Sequence, residues 1–319
     1  MAVYFLNIKS FGRAANSSAV SAAAYRAGER IHDDRTGRTY DHSARQDVMH
    51  KEIVLPSQFA GDGVSWARDR ATLWNAAEHA ETRKNARVAR EYLVALPAEL
   101  SAEQQVSLTK GFAHELSDRY GFALDVAIHA PRDYPGSDPR NFHAHLLATT
   151  REVQVQGLGA KTSMEWNDAT RRAAGLGPVI AEFLHVRHRW AEVANEALHQ
   201  AQFQVRIDHR TLREQGIDRE PFPHIPRAAF EMERHGYRSY QAERIREEYQ
   251  ARVEARERER ERVAERSSTP DKPKSLEDVR REARENWLRM REGRTGTAET
   301  AASERNRATT LTRDEDLTR

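Results

Sequence analysis

Three short stretches that alternate apolar and polar residues constrain this chain more than anything else in it. Val88–Leu96 places Tyr92, Val94 and Leu96 on one side and Ala89, Glu91, Leu93 and Ala95 on the other. Phe122–His129 sets Leu124, Val126 and Ile128 against Asp125, Ala127 and His129, and Asn141–Thr149 sets Phe142, Ala144, Leu146 and Ala148 against His143, His145, Leu147 and Thr149. A period of two puts successive side chains on opposite faces of a strand, so each stretch reads as a strand with one apolar and one half-polar face. Parallel strands covered on both faces would be more uniformly apolar. The pattern predicts an α+β fold around a central, largely antiparallel sheet with flanking helices.

The segments between these strands carry helical marks. Ser101-Ala-Glu-Gln104 is a capping-box pattern opening a helix that runs to Tyr120, with Gly121 as its stop. Asn16, Ser17 and Ser18 precede an Ala-rich run through Arg30 that reads as a helix containing Tyr25. Ser65 to about Lys84 is helical in pattern, with Trp66, Leu73, Trp74 and Ala77 on its apolar side. Pro178 to about Gln202 reads as a long helix and Val3–Phe11 as a short strand; His32–Gln46, turning at Thr36-Gly37 and leading into the short apolar segment Glu52–Leu55 closed by Pro56, reads as a hairpin or loop, and Phe203–Ile207 is expected to return as a strand.

With 38% hydrophobic and 31% charged residues, the apolar content must be concentrated in part of the chain. The composition shifts near Tyr240, where Gln241–Arg266 becomes almost wholly Arg, Glu and Ala, and beyond Ser267 a Thr/Pro/Lys/Asp mixture follows. The expected organisation is a domain over 1–225, a charged helical arm over 226–266, and a linker or disordered tail over 267–319 with a short helix around Leu276–Met290. No stretch approaches the roughly twenty apolar residues of a spanning helix, and no secretory pattern opens the chain, so a cytoplasmic protein without membrane insertion is expected. The net charge of +2 does not single out nucleic acid. The absence of cysteine rules out disulfides and thiolate metal sites, leaving histidine and carboxylate as the strong ligands.

His143-Ala-His145 is the step that carries chemistry. Two residues apart on a strand, the imidazoles share a face and can converge on one ion, and His129 ends a neighbouring strand on its non-apolar face. Three ligands with open positions are a catalytic rather than a structural arrangement. A lone His-x-His step is more often ordinary surface, and Tyr25 on an Ala-rich helix is by itself an ordinary core tyrosine. Arg26 and Arg30 beside Tyr25 are candidate phosphate contacts. So are Arg83, Lys84, Arg87 and Arg90 in one basic run, and Arg151, Lys161, Arg171 and Arg172 further on, with Trp166 available for base stacking.

Taken together, Ser21-Ala-Ala-Ala-Tyr25-Arg-Ala-Gly28, Trp74-Asn75 through Arg83-Lys84-Asn85-Ala86-Arg87 to Glu91 and Ala95-Leu96-Pro97, and His129 followed by Asn141-Phe-His143-Ala-His145 resemble the MobA/MobL family of plasmid relaxases. Ile207-Asp-His-Arg210 with Gln215-Gly-Ile-Asp218 resembles the segment that closes the same domain, so the resemblance covers residue 1 to about 225 in order. It implies a His-hydrophobic-His endonuclease with Tyr25 as nucleophile, His129, His143 and His145 as metal ligands, and Glu91 as catalytic base or as the orienter of a histidine. It implies a divalent cofactor, magnesium or manganese, and cleavage of single-stranded plasmid DNA at a transfer origin through a 5′-phosphotyrosine intermediate. Other mobilisation proteins and a type IV coupling protein are the implied partners. Two departures stand out: the long insert Pro131–Arg140, and Phe142 where relatives often carry proline. The rival readings are a rolling-circle replication initiator of the same chemistry and a non-enzymatic DNA-binding mobilisation accessory.

Overall fold

The computed structural model describes residues 2–13, 18–131, 137–268 and 275–289. Its elements run β1 (Leu6–Gly12), α1 (Ala19–Ala27), β2 (Arg30–Asp33), β3 (Arg38–Asp41), β4 (Val48–Val54), α2 (Arg70–His79), β5 (Arg87–Ala95), α3 (Ala102–Tyr120), β6 (Phe122–His129), β7 (His143–Gln154), β8 (Gly157–Lys161), α4 (Asp168–Ala173), α5 (Val179–Gln200), α6 (Arg227–Arg234) and α7 (Tyr240–Ser268). The central sheet has the order β1-β5-β7-β6-β4, with β8 added to the far part of β7 and every pair antiparallel. This is the α+β architecture that the alternating stretches imply. The chain divides into two compact units, Met1–Ile217 and Asp218–Arg319.

The alternation becomes two different cores. Tyr92, Val94, Leu124, Val126, Ile128, Ala144 and Leu146 pack on one face of the sheet against Phe112 and Leu116 of α3 and Val186 and Trp190 of α5. The Phe112 and Trp190 rings meet at 5.0 Å. On the other face Ala89, Ala123 and Leu147 pack beneath the alanines of α1 and beneath Leu73, Trp74 and Ala77 of α2. The small side chains of α1 let its backbone lie close to the sheet, which places Tyr25 near the strand ends.

Local chemistry sets the helix ends. Ser101 and Gln104 form both halves of the capping box, and Gly121 closes α3 in the left-handed conformation. Ser18 caps α1 through Ser21, while its hydroxyl donates to Asp33. The expected run of this helix to Arg30 stops at Ala27, because Gly28 adopts φ 60°, a conformation costly for any residue with a Cβ, and Arg30 begins the β2–β3 hairpin instead. The helix expected from Ser65 begins later, at Arg70, since Asp69 caps it by accepting from Thr72; a 3₁₀ segment occupies Asp62–Arg68. Phe203–Ile207, expected as a strand, is irregular. The Asn195 side chain of α5 bonds both backbone groups of Ile207, taking the place of a strand partner.

In the second unit, α7 is a single solvated helix laced with ion pairs, such as Arg244–Glu248 and Arg258–Glu254 one turn apart. A short helix spans 276–289, while the rest of the expected tail, 269–274 and 290–319, lies outside the described residues, as do 132–136 of the insert. No helix among the described residues is long and apolar enough to cross a membrane.

Candidate metal and nucleic-acid site

The β6–β7 register places His129 directly opposite His143, and Ala127 opposite His145. All three histidines share the face covered by α1. Their ring centroids lie 4.8 to 5.3 Å apart, and one nitrogen from each falls within 4.8 Å of the other two, so this set can hold a metal ion. Period-two alternation supplies the common face; the antiparallel register, which no spacing in the sequence reveals, brings His129 alongside.

Each imidazole makes a hydrogen bond that fixes its orientation. His145 Nδ1–H donates to Glu91 Oε1 at 2.7 Å, which leaves its lone pair on Nε2. His143 Nδ1 bonds the Asn141 carbonyl at 2.9 Å, with the same consequence. His129 Nε2 bonds the Arg26 carbonyl at 2.7 Å, tying the last turn of α1 to the end of β6. Burial holds the pKa of His129 down to about 3, against the hydrogen bond to Arg26 and with help from the neighbouring charges. Burial also lowers His145, opposed by Glu91. Neutral imidazole is the form that ligates metal, so both rings are in the binding-competent state near neutral pH.

Glu91 stands behind the triad. It is fully buried and bonded by the Arg26 guanidinium and by His145, with Lys9 Nζ 2.7 Å from its second oxygen. Burial would raise its pKa, but the hydrogen bonds from His145 and Arg26 outweigh burial and hold the carboxyl well below its ordinary range. An anion so thoroughly bonded is suited to orienting His145 and poorly suited to taking a proton.

Tyr25, half-buried on the last turn of α1, is gripped by a residue that sequence reasoning passed over. Arg45 lies in the polar stretch after the β2–β3 hairpin. Its guanidinium sits 4.3 Å from the centre of the Tyr25 ring, donates to the Tyr25 carbonyl at 2.5 Å, and has Nη2 3.4 Å from His129 Nδ1. Asp47 holds Arg45 from behind through two bonds of 2.6 and 2.8 Å. A single side chain therefore touches both the phenol-bearing residue and a histidine of the triad. No periodicity marks Arg45; only its place in the fold does. His42 adds an edge-on contact to Tyr25 at 5.2 Å. Gly28 makes the approach possible, since a Cβ there would meet Val48 and Arg45 at 3.2 and 3.4 Å.

The basic residues scatter more than their sequence neighbourhood suggests. Arg26 and Arg90, expected at a DNA backbone, are buried instead: Arg26 is bonded to Glu91 and to the Ala22 carbonyl, and Arg90 to Glu165. The last turn of α1 turns Arg26 toward the sheet, and the phase of β5 turns Arg90 inward. Arg171 is likewise buried, holding the Ser163 and Gly177 carbonyls together, and Trp166 is half-buried with its ring N–H on the Lys161 carbonyl. Arg30, Arg83, Lys84 and Arg172 are exposed. Arg83, Arg87, Arg151 and Lys161 line one cavity of about 470 Å³ together with Glu81 and Glu165. Arg87 lies six residues before Leu93 on β5, so this basic cavity is roughly 20 Å from the histidines.

Comparison with known proteins places this arrangement in context. The MobA/MobL family model matches residues 17–235. Mobilization protein MobL of Acidithiobacillus ferridurans is 39% identical over 253 residues, covering 73% of this chain and 64% of that protein. A probable mobilization protein MobA of Bifidobacterium longum is 32% identical over 270 residues, covering 74% of this chain and 45% of that protein. The chain thus spans about half to just under two thirds of these curated relatives. A solved structure reported as "Molecular Basis of Vancomycin Resistance Transfer in Staphylococcus aureus" aligns with a TM-score of 0.52 at 30% identity, covering 66% of this chain and 100% of that one.

Proposed function

This chain belongs to the MobA/MobL family, and from that membership we propose that it is a metal-dependent relaxase that nicks and recloses one DNA strand at a plasmid transfer origin. The observation that carries the reading is the junction of α1 with β6: the backbone of Arg26, the residue after Tyr25, is hydrogen-bonded to one imidazole of a convergent triad. A phenol-bearing helix docked onto a three-histidine site is an arrangement for attack on a phosphate.

In this reading Tyr25 is the nucleophile and His129, His143 and His145 hold a divalent ion, manganese or magnesium. When bound, that ion supplies Lewis acidity at a non-bridging phosphate oxygen, where charge builds up in the transition state. Glu91 fixes the tautomer and orientation of His145 and acts neither as base nor as nucleophile. Arg45 holds the Tyr25 ring and lends positive charge beside the developing phenolate. The Tyr25 oxygen bonds to phosphorus as the P–O3′ bond breaks; the phenolic proton passes to solvent and the departing 3′ oxygen takes one up. The product is a 5′-phosphotyrosine and a 3′-hydroxyl, and the reverse step recloses the strand without ATP.

Single-stranded DNA suits a nucleophile that must reach one phosphate unobstructed. Arg83, Lys84 and Arg87, with Arg151 and Lys161 of the basic cavity, are the backbone contacts this reading assigns. Residues 1–225 form the nicking domain, 226–266 the charged arm and 267–319 the tail. The reading further assigns mobilisation in the cytoplasm, with other relaxosome proteins and a type IV coupling protein as partners; the relatives' names speak of mobilization and conjugal transfer. The test is incubation with labelled single-stranded origin DNA and Mn²⁺ or Mg²⁺, followed by a denaturing gel. Wild type is expected to form an adduct and Tyr25→Phe none; an adduct that survives in Tyr25→Phe would remove Tyr25 from its role.

A further inference from the structure

An α-helix ends on four backbone carbonyls that have no partner within it, and in α1 these belong to Tyr25 and its neighbours. The Ala24 carbonyl accepts from the Gly28 and Glu29 amides, a closure that left-handed Gly28 makes possible. The next three carbonyls are taken by side chains from three distant places. Arg45 Nη1 donates to the Tyr25 carbonyl at 2.5 Å, His129 Nε2 bonds that of Arg26 at 2.7 Å, and Lys51 Nζ donates to that of Ala27 at 3.0 Å. Arg45 and His129 already belong to the site. Lys51 has no part in the chemistry above.

Sheet register puts Lys51 within reach of the helix end. On β4 it pairs with Ala127 of β6, and Ala127 pairs with His145 of β7, so the three residues form one row across the face that α1 covers. Lys51 stands about two strand spacings, roughly 10 Å, from His145 along that row, with the small, buried Ala127 between them. The ammonium is held from its other side as well: Glu29 Oε1 lies 2.9 Å away, and Arg70, which is bonded to Asp125 of β6, grips the same carboxylate. A cation fixed at this place also meets the negative end of the helix dipole. Without it, the final carbonyl of the turn that carries Tyr25 loses its donor, and that turn can fray.

Resting on the nicking reading above, we propose that Lys51 is a positioning residue for Tyr25. It completes a three-donor cap on α1 and so fixes where the phenol stands relative to the histidines, acting through the Ala27 carbonyl and touching neither DNA nor metal. Its contribution falls on the rate of attack by Tyr25 in the bound complex, because a reacting group displaced by about 1 Å can lose on the order of a hundredfold in rate. DNA affinity is left nearly unchanged.

The full-length protein and Lys51→Met, which keeps the apolar stem and removes the donor, are compared in two measurements. In the first, single-turnover adduct formation on labelled single-stranded origin DNA with Mn²⁺ is followed at increasing protein concentration. The maximal rate constant of Lys51→Met is expected to fall about tenfold, with the half-saturating protein concentration within twofold of wild type. A lysine that contacts a phosphate gives the reverse split, an unchanged maximal rate with a raised half-saturation and a shallower salt dependence, and that result overturns the proposal. In the second, without DNA, amide hydrogen exchange at Gly28 and Glu29 is expected to quicken about tenfold in Lys51→Met while the amides of α3 keep their rates. Unchanged exchange at Gly28 and Glu29 overturns the cap. Should Lys51→Met fail to fold, Lys51→Gln, a shorter polar side chain, decides in its place. An absence of any wild-type adduct removes the nicking reading and with it any role of Lys51 toward a nucleophile; a wild-type adduct with an unaltered maximal rate in Lys51→Met removes the positioning role alone.

Discussion

The two faces of the central sheet are cut from the same strands and solve opposite problems. Under α3 and α5 the sheet buries Tyr92, Val94, Val126, Ile128, Ala144 and Leu146 against Phe112 and Trp190, and stability there comes from removing apolar area from water. Under α1 the same strands present buried Glu91 and His129 and half-buried His145, with Arg26 of α1 buried against them, groups whose desolvation opposes folding unless each is paired. The first face holds the sheet rigid; the second holds a charge network in one arrangement, at a cost that the first must offset. Side chains one residue apart along β5, such as Glu91 and Tyr92, therefore serve different ends.

This contrast can be broken by mutation. Trp190→Ala removes the largest side chain from the apolar face and should cost about 3–5 kcal/mol in urea unfolding. Metal affinity of the folded variant should stay within about twofold, since no part of Trp190 reaches the triad face. A large loss of metal affinity in the folded variant would show that the two faces are coupled.

Glu91→Gln attacks the other face. It leaves the buried Arg26 without its anionic partner, so a loss of about 3 kcal/mol is expected, similar in size to that of the core truncation. Here, in contrast, metal affinity measured by titration should also fall, by about 10- to 100-fold, because His145 loses the carboxylate that orients it. Unchanged affinity would reassign Glu91 to a purely structural role.

The smallest effect is a pH dependence that belongs to the polar face alone. His129 is held near 3 in the folded protein and titrates near 6.5 when unfolded, so below about pH 7 the unfolded chain takes up a proton that the folded one refuses. Stability is thus complete above the unfolded value and declines as pH falls. Between pH 7 and 5 His129 contributes a loss of about 2 kcal/mol in chelator-treated protein, with His145 acting in the same direction. Glu91, whose pKa is also depressed, adds its loss only at lower pH, below the ordinary carboxylate value. A flat profile from pH 7 to 5 would contradict the burial of neutral imidazoles.

Much of this architecture was legible before any coordinates. The alternation of Phe122–His129 and Asn141–Thr149 set the strand faces, and the capping box at Ser101 with Gly121 set both ends of α3, because these signals act over a few residues. Local signals also misled. The Ala-rich run suggested a helix to Arg30 until the left-handed Gly28 ended it, and Phe203–Ile207 had a strand's composition but found a side-chain amide in place of a strand partner. Arg26 and Arg90 read as phosphate ligands from their sequence neighbours, yet both point inward to carboxylates that are distant in the chain.

What the sequence determined by itself is periodicity: which side chains share a strand face, where helices begin and stop, and hence that His143 and His145 point the same way. What only the tertiary structure decided is partnership: His129 beside that pair, Glu91 behind it, Arg45 between Tyr25 and His129, and Lys51 on the last carbonyl of α1. The physical reason is range. Dihedral preferences and capping bonds act between neighbours in the chain, whereas a bond such as that of His129 to the Arg26 carbonyl joins residues 103 positions apart and exists only once sheet register and helix docking have been chosen together.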